Sequence, residues 1–162
     1  MPGPSRIIRL RVPVRKSTSV LKRLARLFRC TVTLGAQAAV IDEQERVLLV
    51  RHTYTNGWFL PGGGVKRDET VEEALHRELQ EETETSITAP ALFRVYSSVR
   101  QRDHVFIYVA RAFETLKLKR PDFEIAEVRW FPLSDLPSDT NPATRRRLAE
   151  IATELGSCHE RA

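Results

Sequence analysis

From position 31 onward, apolar and polar positions alternate in short runs broken by polar punctuation. Residues 31–41 and 46–51 predict two strands around the turn Asp42-Glu43-Gln44-Glu45. Positions 47–50 are all apolar, the pattern of a strand covered on both faces. After the Gly-rich loop Pro61-Gly62-Gly63-Gly64, the period lengthens to that of a helix running from about 71 to 84. Residues 92–99 and 105–113 predict a second strand pair around the turn Arg100-Gln101-Arg102-Asp103, and 128–131 a last short strand. Asn141-Pro142 opens a terminal helix striped by Leu148, Ile151, Ala152 and Leu155, with Gly156 as its stop. The elements imply a mixed sheet with helices packed on it.

The first thirty residues read differently. Residues 1–18 carry Pro2, Pro4 and Pro13 and no sustained period, which suits a loop or weak edge strand. Ser19 is a candidate N-cap for a short helix to Arg29, with Leu21, Leu24 and Phe28 on one stripe. Residues 1–41 hold nine Lys and Arg and no carboxylate, so the net charge of +5 belongs to this arm, while the body is mildly acidic. The basicity is therefore no sign of a nucleic-acid surface on the body. The expected layout is a basic arm at 1–30, one domain at 31–156 and a tail at 157–162. The arm reads first as a packing element against the body or a second subunit, which would make a homodimer. An anionic partner surface and a targeting segment are the alternatives.

With 41% hydrophobic and 29% charged residues, the 162-residue chain excludes wholesale disorder and collagen-like repetition. No apolar run approaches the roughly 18 residues of a membrane span. Two cysteines, Cys30 and Cys158, exclude a disulfide scaffold. A reducing, cytoplasmic setting follows as the expectation.

The helix after the Gly-rich loop carries the candidate chemistry. Thr70-Val71-Glu72-Glu73 is a capping-box sequence. On a helical wheel Val71, Ala74, Leu75 and Leu79 mark the inward stripe; Glu78 and Glu82 fall within its phase, about 40° apart, and Glu81 flanks it. A Glu-rich helix is ordinarily a solvated face. Here the phase contradicts that, because inward carboxylates repel one another and lose hydration unless a positive group lies between them. A hard divalent cation such as Mg²⁺ or Mn²⁺ would serve, and it prefers oxygen ligands.

Gly63, five residues, Glu69, seven residues, then Arg77-Glu78-Leu79-Gln80-Glu81-Glu82 resembles the signature box of the Nudix hydrolases. The preceding Leu60-Pro61-Gly62 and the order of surrounding elements fit as well. The resemblance implies a mixed α/β fold, an α/β/α sandwich with a mixed central sheet and a loop–helix–loop motif. It also implies hydrolysis of the pyrophosphate in a nucleoside diphosphate linked to a further moiety. By the same resemblance Glu78, Glu81 and Glu82 become metal ligands with the Gly62 carbonyl, and Glu69 and Arg77 form a brace between loop and helix. The sequence departs from the family at Glu84 and Thr85, where glycine and an aliphatic residue are usual, and at Lys66, where an acid is common. Glu84 implies a different or slightly strained helix ending, with Ile87 as a substitute apolar anchor.

A general base must be a carboxylate within reach of the attacking water. Glu78 is one candidate; the other is Glu124, before the last strand, where the Nudix resemblance implies a catalytic or metal-binding glutamate, with Glu127 as a spare. Arg51 and His52 end a strand directed toward the pocket and are candidate substrate contacts. Trp58, Phe59, Phe93, Tyr96 and Tyr108 read mostly as core, and His104 as structural. The expected substrate is a nucleoside di- or triphosphate or a nucleotide-sugar. An RNA 5′ end, held by the basic arm, and a nucleotide held without cleavage are the alternatives.

Overall fold

The structure is a computed structural model, and it describes residues 32–115 and 118–159. The N-terminal arm, with Cys30 and the stretch where a short helix is expected, lies outside the described residues. The elements in chain order are β1 (Thr33–Val40), β2 (Arg46–His52), β3 (Gly62–Gly64), α1 (Val71–Thr83), β4 (Thr85–Thr88), β5 (Ala91–Ser98), β6 (Asp103–Ala110), β7 (Ala112–Thr115), β8 (Ile125–Pro132) and α2 (Pro142–His159).

Four strands form one mixed sheet in the order β3-β1-β6-β5, with β1 and β6 parallel and both edge strands antiparallel to their neighbours. Strands β2 and β8 pair antiparallel, as do β4 and β7. Alternation of side chains along β1 and β2 divides the core in two. Ala36, Ala38, Val40, Leu48 and Val50 pack with Ala74, Leu75 and Leu79 of α1. Ala39, Ile41, Val47 and Leu49 pack with Leu148 and Ile151 of α2. Positions 47–50 are fully buried, as the unbroken apolar run requires. The strand layer thus lies between the two helices, the sandwich that the pattern and the resemblance imply.

The β1–β2 turn folds around Asp42, whose Oδ1 accepts from the amides of Gln44 and Arg46 at 3.0 and 2.8 Å. Three expectations are corrected. The Gly-rich segment is a short strand at 62–64 that pairs with β1 at Gly35, Ala36 and Gln37. The run expected as one strand over 105–113 is two, because the chain leaves β1 after Ala110 and pairs with the unforeseen β4. Helix α2 continues through Gly156 to His159, since Gly156 does not take the left-handed conformation that would stop it. No helix among the described residues is long and apolar enough to cross a membrane.

Candidate active site

The site is built where β3 meets α1. The capping box forms as its sequence dictates: the Glu73 amide donates to Thr70 Oγ1 at 3.1 Å, and the Thr70 amide to Glu73 Oε2 at 2.7 Å. This fixes where α1 starts and so which residues face the sheet. Glu82 falls on the buried side and is only 5% exposed. Glu78 lies largely covered, and the Glu81 side chain stays 56% exposed at the flank.

Glycines bring the loop close. Gly62 has φ of 135°, and a Cβ there would lie 2.1 Å from the Ala36 carbonyl oxygen, so any other residue would break the β1 pairing. Its N–H donates to Glu82 Oε2 at 2.8 Å. A Cβ on Gly63 would lie 2.6 Å from the Glu78 carboxyl carbon, so the loop backbone leaves the room that Glu78 fills.

Arg77 joins the pieces. Its Nε and Nη2 donate to the two oxygens of Glu69 at 3.1 and 2.7 Å, and Nη2 also reaches the Gly64 carbonyl at 3.1 Å. Nη1 donates to Glu78 Oε1 at 2.6 Å and to Glu81 Oε2 at 3.1 Å. Glu69 further accepts from the Lys66 amide. The Arg77 hydrogen bonds, then the Lys66 amide, hold the Glu69 carboxyl down at about 2.

Glu82 shows the opposite balance. Burial raises its pKa to about 8; the Gly62 amide opposes this, while the charges of Glu78 and Glu124 push the same way. His52 Nε2 stands 4.0 Å from Glu82 Oε1, and its ring stacks on Tyr54 with centroids 5.0 Å apart. Its Nδ1 is buried with no hydrogen-bond partner. Burial lowers the His52 pKa against the pull of Glu124 and Glu78.

The structure therefore brings Glu78, Glu82, Glu124 and His52 together, with Glu81, Glu69, Arg77, Gly62 and Gly63 around them. Arg51 is elsewhere. Successive side chains of β2 point to opposite faces, so Arg51 turns to the α2 side, where it lies over Trp58 at 4.7 Å and pairs with Asp139 at 2.9 Å. Glu127 also leaves the site, paired on β8 with Arg129. Trp58 and Tyr108 are buried in the core, and His104 bonds Ser97 at 2.7 Å. Sequence reasoning missed Tyr54, an exposed loop aromatic with no periodic pattern around it, and Lys119, in a stretch without strand or helix signal.

The carboxylate set suits a hard divalent cation. Glu82 is a buried acid that one backbone amide only partly compensates, and Glu78 and Glu124 add negative charge at the same place. Among the described residues no three carboxylates, imidazoles or thiols converge as a finished cage; Arg77 engages Glu78 and Glu81.

The family model described as the NUDIX domain matches residues 32–151. The chain belongs to the Nudix family. It is similar to MutT4 of Mycobacterium tuberculosis, at 41% identity over 105 residues, covering 60% of this chain and 42% of that protein. The 8-oxo-dGDP phosphatase NUDT18 of Homo sapiens is 29% identical over 133 residues, covering 77% of this chain and 39% of that one. Among solved structures, a MutT Nudix hydrolase from Burkholderia pseudomallei superposes with a TM-score of 0.64 at 29% identity, covering 72% of this chain and 95% of that one. The chain spans about two fifths of the length of the two curated relatives. Nudix hydrolases generally use divalent metal ions.

Proposed function

We propose that this Nudix chain is a divalent-metal-dependent hydrolase that cleaves the pyrophosphate of a nucleoside di- or triphosphate or a nucleotide-sugar. The observation that carries the reading is the buried Glu82 carboxylate on the Gly62 amide, with Glu78 against Gly63 and Glu124 acting on the same group. Glu78, Glu81 and Glu82, with the Gly62 backbone, would hold Mg²⁺ or Mn²⁺. Such an ion supplies charge neutralisation on the phosphoryl oxygens and acidifies a bound water.

The chain's own residues do the rest. Glu69 and Arg77 keep loop and helix in one geometry, which phosphoryl chemistry needs because it depends on positioning. Glu124 takes a proton from the water that attacks phosphorus, as the anhydride P–O bond breaks and the phosphate leaves. Glu78 suits that task less, since its Oε1 is already bound to Arg77. His52 lies between Glu82 and Tyr54 and can donate to a phosphate oxygen. Arg51, on the other face, is engaged by Asp139 and Trp58 and takes no part in this reading.

Similarity to an 8-oxo-dGDP phosphatase supports nucleoside phosphates as substrates. Similarity to the ADP-ribose pyrophosphatase of Methanocaldococcus jannaschii, 34% identical over 105 residues, keeps nucleotide-sugars in view. The purified chain with Mg²⁺ is to be assayed for phosphate and pyrophosphate release from nucleoside di- and triphosphates, their 8-oxo forms, ADP-ribose and 5′-triphosphorylated RNA. Turnover of at least one of them is expected, with Glu82→Gln losing about 100-fold or more. Full turnover by Glu82→Gln would overturn the site. Preference for RNA, lost on deleting residues 1–30, would move the reading to an RNA 5′-end hydrolase. Tight binding without cleavage would make the chain a nucleotide-binding module.

A further inference from the structure

Glu124 sits on an irregular segment between β7 and β8, yet its backbone is tied on two sides. On one side Thr53, just past β2, donates its amide to the Glu124 carbonyl at 2.9 Å and its hydroxyl to the Phe123 carbonyl at 2.6 Å. On the other side Asp122 Oδ1 accepts from the amides of Glu124 and Ile125 at 2.8 and 2.7 Å. The other oxygen of Asp122 pairs with Lys119 Nζ at 2.7 Å. Lys119 Nζ in turn donates to the backbone carbonyl of Glu81, in the last turn of α1. That carbonyl is one of those a helix end leaves without an internal partner, and a lysine satisfies it well. One continuous path thus runs from the α1 carboxylate turn through Lys119 and Asp122 to the Glu124 amide. Both charged members are largely covered, with side chains 19% and 30% exposed.

We infer that Lys119 is a positioning residue: through Asp122 it locks the Glu124 loop onto the helix that bears Glu78, Glu81 and Glu82. The functional half of this inference rests on the hydrolase reading above. Loops carry reactive groups accurately only when a scaffold holds them, and this loop has no helix or strand of its own across 118–124. The lysine charge also acts on Glu82. A purely electrostatic role is separable, because Asp122→Ala leaves the lysine in place while cutting the path.

The first measurement is amide exchange in the metal-free protein. Lys119→Met and Asp122→Ala are expected to speed exchange at Glu124 and Ile125 by about 10-fold or more, leaving β1 and the middle of α1 unchanged. Lys119→Arg, which can still bridge a carbonyl and a carboxylate, is expected to keep exchange within about 3-fold of the parent. The second measurement is turnover of the best substrate. Lys119→Met and Asp122→Ala should each lower kcat about 10- to 100-fold with KM within about 3-fold, and Lys119→Arg should restore it. In a Glu124→Gln background, Lys119→Met should add less than about 2-fold.

Unchanged exchange at Glu124 and Ile125 in Lys119→Met would overturn the inference whatever the substrate. So would a full, additive loss in the Glu124→Gln background, or normal kcat in Asp122→Ala. Faster exchange in Lys119→Met, in a protein inert toward every nucleotide tried, would support the tether and overturn the hydrolase reading alone.

Discussion

Arg77 is the residue on which the candidate site closes. Its pairing with Glu69 is what the motif spacing implies under the Nudix resemblance, and the bidentate contact is present. Its reach to Glu78 was not legible, since neighbours at i and i+1 do not ordinarily face each other on a helix, whereas Glu81, at i+4, is an ordinary helical neighbour. The brace has a pH signature. Glu69 titrates near 2 in the folded chain against 4.5 ordinarily, so its contribution to stability is complete above 4.5 and fades as pH falls toward 2. The melting temperatures of the parent and Glu69→Gln should therefore differ by a constant amount above about pH 5, draw together as pH falls below that, and converge only below about pH 2. A gap that persisted unchanged at low pH would mean that the carboxylate charge contributes nothing to the brace.

At the scale of elements, the end of α1 shows how a local rule and its exception coexist. Glu84 takes the left-handed conformation, φ 55° and ψ 32°, that glycine adopts easily, and its N–H caps the carbonyls of Gln80 and Leu79. The strained ending that the sequence implies is thus present, and Ile87 is buried with Leu79 as the apolar anchor. Glu84→Gly should relieve the strain and stabilise the fold by about 0.5–1 kcal/mol, the relief being partly offset by glycine's greater freedom when unfolded. Denaturant unfolding measures it, and a destabilised variant would show that the Glu84 side chain holds more than its own backbone. The capping box, the β1–β2 turn and the buried run of β2 were all legible, because each depends on residues within one turn or hairpin. Strands β4 and β7 were not. Across Val105–Phe113 only Arg111 interrupts the apolar positions, which by itself is no strand boundary, and the switch of partner from β1 to β4 divides the strand there. The Arg111 guanidinium is held there by Glu45 at 2.8 Å, across 66 positions of chain.

At the scale of the molecule, two helices cover opposite faces of the strand layer, and the carboxylates gather on the α1 side. A cation bound there would bind the folded chain and not the unfolded one, so it should stabilise by mass action. Mg²⁺ or Mn²⁺ at about 100 times its dissociation constant should add about 2.7 kcal/mol, a rise of several degrees in Tm. Glu82→Gln should lose most of that rise, as followed by thermal melting with and without chelator. An equal rise in both proteins would locate the cation away from Glu82.

The sequence by itself determined the phase of α1, its cap, the inward acids and the two apolar faces that make a layered fold. Those depend on periodicity and on side chain–backbone contacts a few residues apart. Only the tertiary structure decided that the Gly62 amide meets Glu82 across 20 positions and that Lys119 meets the Glu81 carbonyl across 38. It also turned His52 toward the acids and Arg51 away from them. Contacts of that kind follow from strand pairing and from where loops land, and no local pattern of residues encodes either.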